Sequence, residues 1–146
     1  MNNHLLKDLN PQQAEAVQHI TGPLLIVAGP GSGKTRVIVH RIAYLVRSAG
    51  INPHRIAAVT FTNKAAREMK DRLVLLLGAE ARPLTMGTFH ATFSMLLRRE
   101  GTAIGLEPNF TIYDTDDQLK LIKQTQEDMD LDPKRYKPNA ILSIIY

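Results

Sequence analysis

Leu24-Leu25-Ile26-Val27-Ala28-Gly29-Pro30-Gly31-Ser32-Gly33-Lys34-Thr35 is the stretch on which the reading of this chain turns. Its first five residues are a continuous apolar run of strand length set between glycines, the pattern of a strand buried on both faces. The turn from Ala28 to Thr35 has the spacing of a phosphate-binding loop, lying between a predicted strand and a predicted helix as such a loop requires. Glycines let backbone N–H groups turn toward phosphate oxygens, and the N-terminus of the following helix adds a favourable dipole. In such a loop Lys34 reaches the terminal phosphates and the Thr35 hydroxyl ligates magnesium. Ala28 stands where the strictest form of the pattern has glycine. Lys34 and Thr35 are therefore the candidate catalytic residues. Ala28, Gly29, Pro30, Gly31, Ser32, Gly33, Lys34 and Thr35 form a candidate cradle for ATP and Mg.

Working outward, Val39, Ile42, Ala43 and Val46 recur at helical spacing and predict a helix from about Gly33 to Ser48, closed by Gly50. Upstream, Asn10-Pro11 with Gln13 three residues after the cap predicts a capped helix from Pro11 to about His19. Downstream, Ile56–Thr60 reads as a second strand. Asn63 is then the predicted N-cap of a helix whose Ala66, Met69, Leu73 and Leu76 share a face. A third short strand around Leu84–Met86 leads through Thr88-Phe89-His90 into an amphipathic helix carrying Phe93, Leu96 and Leu97. Strands alternating with helices imply an α/β fold with parallel strands, and ligands at the carboxyl ends of those strands. Beyond Gly105 the character changes. Phe110–Tyr113 is a brief extended run, Asp114 caps a helix through about Met129, and Pro133 and Pro138 punctuate the start of another helix.

At 146 residues with 44% apolar content the chain has the size and composition of a globular domain. It contains no run of roughly 20 apolar residues and no basic-then-apolar leader, so the expectation is a cytoplasmic protein with no membrane partner. The absence of cysteine excludes a disulfide framework, a thiol nucleophile and a cysteine zinc site. The net charge of +4 is unevenly placed. Arg36, Arg41, Arg47, Arg55, Lys64, Arg67, Lys70 and Arg72 meet only Glu68 and Asp71, whereas acids outnumber bases after Glu107. An anionic partner would favour the basic middle third, although single charges are mostly solvated helix faces.

Four segments in order carry a resemblance: Leu9-Asn10-Pro11-Gln12-Gln13-Ala14-Glu15-Ala16-Val17, then AGPGSGKT, then Thr60-Phe61-Thr62-Asn63-Lys64-Ala65-Ala66-Arg67-Glu68-Met69, then Gly87-Thr88-Phe89-His90. Together they resemble the UvrD/Rep-type superfamily 1 DNA helicases over about residues 9 to 90, and FTIYDTDDQ is similar to that family's next segment. The resemblance implies a RecA-like P-loop NTPase sheet with flanking helices over residues 1–108, incomplete here. Residues 109–146 would then begin a mostly helical inserted subdomain. It also implies an ATP-dependent motor that moves 3′ to 5′ on single-stranded DNA and opens duplex at single-strand junctions.

Residue by residue, the resemblance gives Gln13 the role of reading adenine, where its residue-level alternative is a plain capping box. Arg36 matches an arginine near the nucleotide, and an exposed helix arginine would look the same. Phe61 matches an aromatic over which a DNA base packs; the alternative is a core aromatic at a strand end. Thr62, Asn63, Thr88 and His90 match positions lining the single-strand track, where Asn63 could be only an N-cap and His90 only a packed histidine. A family motor also needs an acidic magnesium site at a later strand end and a second RecA-like domain, and neither is in these residues. Asp114 is an N-cap, not that acid. The chain therefore reads as a piece that would be inactive alone. The rival classes are a small P-loop nucleoside-phosphate kinase and a non-catalytic nucleotide- or DNA-binding module.

Overall fold

The computed structural model describes residues 3–145, which divide into two compact units at Glu100 and Gly101. In the first unit α1 spans Pro11–Gln18, α2 Lys34–Arg47, β1 Ala57–Thr60, α3 Asn63–Leu77, β2 Thr85–Thr88 and α4 Phe89–Glu100. Asn10 and Gln13 close a full capping box at the start of α1: Gln13 N–H donates to Asn10 Oδ1 at 2.8 Å, and Asn10 N–H to Gln13 Oε1 at 3.1 Å. At the end of α2, Gly50 takes a positive φ of 66° and turns the chain so that Ile51 N–H reaches the Leu45 carbonyl at 2.9 Å.

Strands β1 and β2 pair in parallel with Ala57 opposite Thr85, Ala58 opposite Met86, Val59 opposite Gly87 and Thr60 opposite Thr88. Helix α3 is the crossover between them. Its Met69, Leu73 and Leu77 are buried together with Val39, Ile42, Ala43 and Val46 of α2, Ala58 of β1, and Leu84 ahead of β2. Burying each of the valine, leucine, isoleucine and methionine side chains among them favours folding by about 1.5–3 kcal/mol. Two charge-assisted or polar bonds tie the N-terminal segment to α2. Arg41 donates to the Ala16 carbonyl at 2.6 Å, and the His40 ring meets the Leu5 carbonyl at 2.7 Å. The Arg47–Glu80 ion pair, at 2.9 Å, is solvent-exposed and contributes little.

Three expectations are corrected. Leu24–Ala28 forms no strand among the described residues, and Leu25 and Val27 are 86% and 87% exposed. An apolar run signals that it wants cover on both faces; it does not supply the neighbouring strand, and the β1–β2 pair does not extend to it. The N-cap of α3 is Thr62, one residue earlier than Asn63, because Thr62 keeps extended dihedrals and its Oγ1 accepts from Ala65 N–H at 3.1 Å. Strand β2 starts after Leu84 and runs through Gly87 and Thr88, since pairing with β1 sets its length. The helix expected after β2 is present as α4, and its Phe93 and Leu96 are exposed.

The second unit holds α5, Thr115–Asp128, and α6, Pro138–Ile145, which pack on each other. Asp114 is the N-cap of α5, its carboxylate accepting from Asp117 N–H at 2.9 Å, which accounts for the acid as a helix signal. Buried Gln126 donates from Nε2 to the Tyr136 carbonyl and so pins the turn between the two helices. None of the helices among the described residues is long and apolar enough to cross a membrane.

The cap assignment is testable by stability alone. Thr62→Ala is expected to lower unfolding free energy by about 0.5–2 kcal/mol, and Asn63→Ala to change it by less than about 0.5 kcal/mol, in denaturant titrations. The reverse ranking would return the cap to Asn63.

Candidate nucleotide and nucleic-acid site

The loop from Ala28 to Gly33 turns on two glycines with positive φ, Gly31 at 74° and Gly33 at 86°. A Cβ at Gly33 would lie 2.9 Å from Gln13 Nε2, so that the Gln13 amide would have to shift to admit it. As the N-cap of α2 it offers no side-chain oxygen, so the first-turn N–H groups of that 14-residue helix are left for an anion. The loop is self-bonded. Ser32 Oγ donates to the Gly29 carbonyl at 2.7 Å, and Lys34 Nζ donates to the carbonyls of Ala28 and Gly29 at 2.9 and 2.6 Å.

Gln13 serves two elements at once. Its Oε1 completes the α1 capping box, while its Nε2 donates to the Ser32 carbonyl at 3.0 Å, nineteen residues away in sequence. The capping-box alternative is therefore formed, and the same amide also holds the loop. An open cavity of about 480 Å³ is lined by Gln13, Gly31, Ser32, Gly33, Lys34, Thr35, Arg36 and Arg72, a size suited to a small ligand. Arg36 reaches across to donate to the Asp8 carbonyl at 3.2 Å.

At the carboxyl end of the sheet the in-register pairing of Thr60 with Thr88 sets the next residues, Phe61 and Phe89, side by side with ring centroids 5.1 Å apart. Phe61 is 89% exposed and lies outside the core of this unit. Thr62 Oγ1 accepts from Ala65 N–H, and Thr88 Oγ1 from Ala91 N–H at 3.2 Å, so each hydroxyl is oriented by a helix start and keeps its own proton to donate. Thr88 is nearly closed off from solvent, whereas Thr62, Asn63 and His90 are exposed.

The sequence profile of the UvrD/REP helicase N-terminal domain matches residues 9–145. The chain belongs to this family. Its residues are 54% identical over 142 positions to the ATP-dependent DNA helicase PcrA of Leuconostoc citreum, covering 97% of this chain and 19% of that relative. They are 50% identical over 145 positions to the ATP-dependent DNA helicase PcrA of Bacillus subtilis strain 168, covering 99% of this chain and 20% of that one. The PcrA helicase of Staphylococcus epidermidis is 49% identical over 143 positions. The chain spans about a fifth of the length of the curated relatives it matches.

Within this UvrD/REP domain the structure gathers the sequence-predicted residues into two groups. Gln13, the loop from Gly31 through Thr35 and Arg36 share the cavity, whose lining leaves out Ala28, Gly29 and Pro30; Phe61, Thr62, Asn63, Thr88 and His90 lie at or next to the ends of the two strands. Sequence reasoning missed Arg72, which α3 brings to the cavity beside the loop, and whose only signal was its place in the basic middle third. It also passed over Phe89 and Phe93 as members of an aromatic row with Phe61. Among the described residues no three histidine, aspartate or glutamate side chains converge on a metal position. Thr35, exposed in the first turn of α2, is a lone protein oxygen of the kind that joins phosphate oxygens and waters around magnesium.

Gly33→Ala tests the loop. It forces a left-handed φ on alanine and pushes against Gln13, so it is expected to destabilise the fold by about 1–2 kcal/mol and to weaken nucleotide binding. Thermal unfolding and ATP titration measure the two effects; an unchanged protein would mean that the loop does not keep this shape.

Proposed function

We propose that residues 1–146 are the ATP-binding front of an ATP-dependent DNA helicase that travels on single-stranded DNA. The observation that carries this is the pairing, in one compact unit of a UvrD/REP domain, of an open phosphate loop with an exposed aromatic edge. ATP would lie in the cavity with its phosphates on the loop amides and the α2 N-terminus. To accept them Lys34 exchanges its bonds to the Ala28 and Gly29 carbonyls for phosphate oxygens, a charge-assisted replacement. Magnesium, arriving with the nucleotide, would sit on the Thr35 hydroxyl and neutralise phosphate charge. Gln13, Arg36 and Arg72 would orient the nucleoside end.

Single-stranded DNA would lie along the strand ends, with a base over Phe61 and the phosphate backbone held by Thr62, Asn63, Thr88 and His90. Stacking tolerates every base, so this track grips without reading sequence. Residues 1–108 would form part of a RecA-like motor domain and 109–146 the start of an inserted helical subdomain. The exposed Leu24–Val27 run supports the reading of the first part as an incomplete sheet domain, because it would gain its neighbouring strands from the remainder of the full-length protein. A 3′-to-5′ direction, action at duplex junctions and a cytoplasmic location follow from the resemblance of the motifs. These residues alone would bind nucleotide without turning it over at a motor's rate, since no charge-stabilising arginine finger comes with the loop.

Two substitutions in the full-length protein separate the halves of this reading. Lys34→Ala is expected to remove charge-assisted bonds of about 1.5–3 kcal/mol and abolish DNA-stimulated ATP hydrolysis while single-stranded DNA still binds. Phe61→Ala is expected to weaken DNA binding by about 1–3 kcal/mol with ATP affinity unchanged. Loss of DNA binding in the first, or of ATP binding in the second, would contradict the assignment.

A further inference from the structure

Helix α4 begins immediately after β2, so the ring of Phe89 is fixed at the strand end and Phe93 follows one turn later on the same helix face. The Phe89 and Phe93 rings lie 6.1 Å apart with planes inclined by only 23°, and Phe61 lies 5.1 Å from Phe89. The three rings thus form a row whose middle member is partly covered and whose two ends are open, Phe61 at 89% and Phe93 at 51% exposure. A half-open phenylalanine stacked into an exposed row leaves apolar ring surface in water that a ligand ring can cover.

The charge around the row suits a polyanion. Residues 57–67 and 85–99 contain no aspartate or glutamate, while Lys64, Arg67 and Arg98 stand on the helices that leave the two strands. Arg99 is paired with Glu100 at 2.7 Å, one helix turn and more beyond Phe93. Aromatic faces interleaved with cations and hydroxyls are the composition of a single-strand track.

We propose that Phe93 is a second stacking platform for a base of single-stranded DNA, continuing along α4 the surface that Phe61 opens. The inference rests on the reading of Phe61 as a base-stacking residue. It adds a contact beyond the four motifs: a second nucleotide held on α4 by its π-face.

The test uses the full-length protein and a fluorescein-labelled oligothymidylate, read by anisotropy, with thermal unfolding recorded for each variant. Phe93→Ala and Phe93→Leu are expected to weaken binding by roughly 5- to 100-fold, and Phe93→Tyr to restore it, because stacking needs a ring and not merely apolar bulk. Binding by Phe93→Leu equal to the parent overturns the proposal, and this variant decides the matter if Phe93→Ala does not fold. A loss of thermal stability with unchanged DNA affinity also overturns it, since Phe93 would then be packed against other parts of the protein. Phe61→Ala distinguishes the two readings. If it weakens binding while the Phe93 variants do not, only the second platform fails; if neither matters, the whole edge is not the DNA surface.

Discussion

The parallel register of β1 with β2 is the constraint on which the rest of the first unit depends. Aligning Thr60 with Thr88 ends both strands at the same level; β2 passes directly into α4, and β1 reaches α3 after Phe61 and Thr62. Two threonine hydroxyls then fall where a helix N-terminus needs an acceptor, and two phenylalanines fall beside each other at the edge. A slip by one residue would turn every side chain of a strand to the opposite face. It would bring Ala58 out of the core formed with Leu73 and Leu77 and separate the Phe61 and Phe89 rings. The polar edge is thus a consequence of the apolar packing beneath it.

The phosphate loop is held by a different kind of bond. Its shape comes from glycines, and its tension from polar contacts at either side: Gln13 from α1 on the Ser32 carbonyl, and Lys34 from α2 on the Ala28 and Gly29 carbonyls. The Lys34 bonds are made by a cation to neutral carbonyls and are the natural ones to yield to a phosphate, which offers charge as well as lone pairs. The Gln13 bond links the loop to a helix cap, so α1, Gln13 and the loop form one connected network in which the loop is anchored before any ligand arrives.

Most elements were legible because each carried a local signal that needs no partner: the Asn10–Gln13 box, the α2 periodicity closed by Gly50, the phosphate loop spacing and the Asp114 cap. What failed was information that belongs to two segments at once. Leu24–Ala28 has the composition of a buried strand, yet composition says nothing about which chain covers it. Thr62 and Asn63 are both good caps, and the choice between them was made by where β1 stops. Arg72 reaches the cavity only because α3 packs on α2, and Phe93 joins Phe61 only through Phe89 and the strand register. Exposure of Phe61 could not be read from an aromatic at a strand end, where burial is the commoner fate.

The central claim is that the carboxyl edge of this parallel pair is the surface on which single-stranded DNA lies, next to a loop that binds ATP. The most direct measurement is photocrosslinking of the full-length protein to an oligonucleotide carrying 5-iododeoxyuridine, followed by mass spectrometric mapping of the adducts within residues 1–146. The account predicts adducts on the aromatic row, at Phe61 and Phe93, and none on the helix faces of α5 or α6. Adducts confined to the second unit, with the strand ends unmodified, would contradict it.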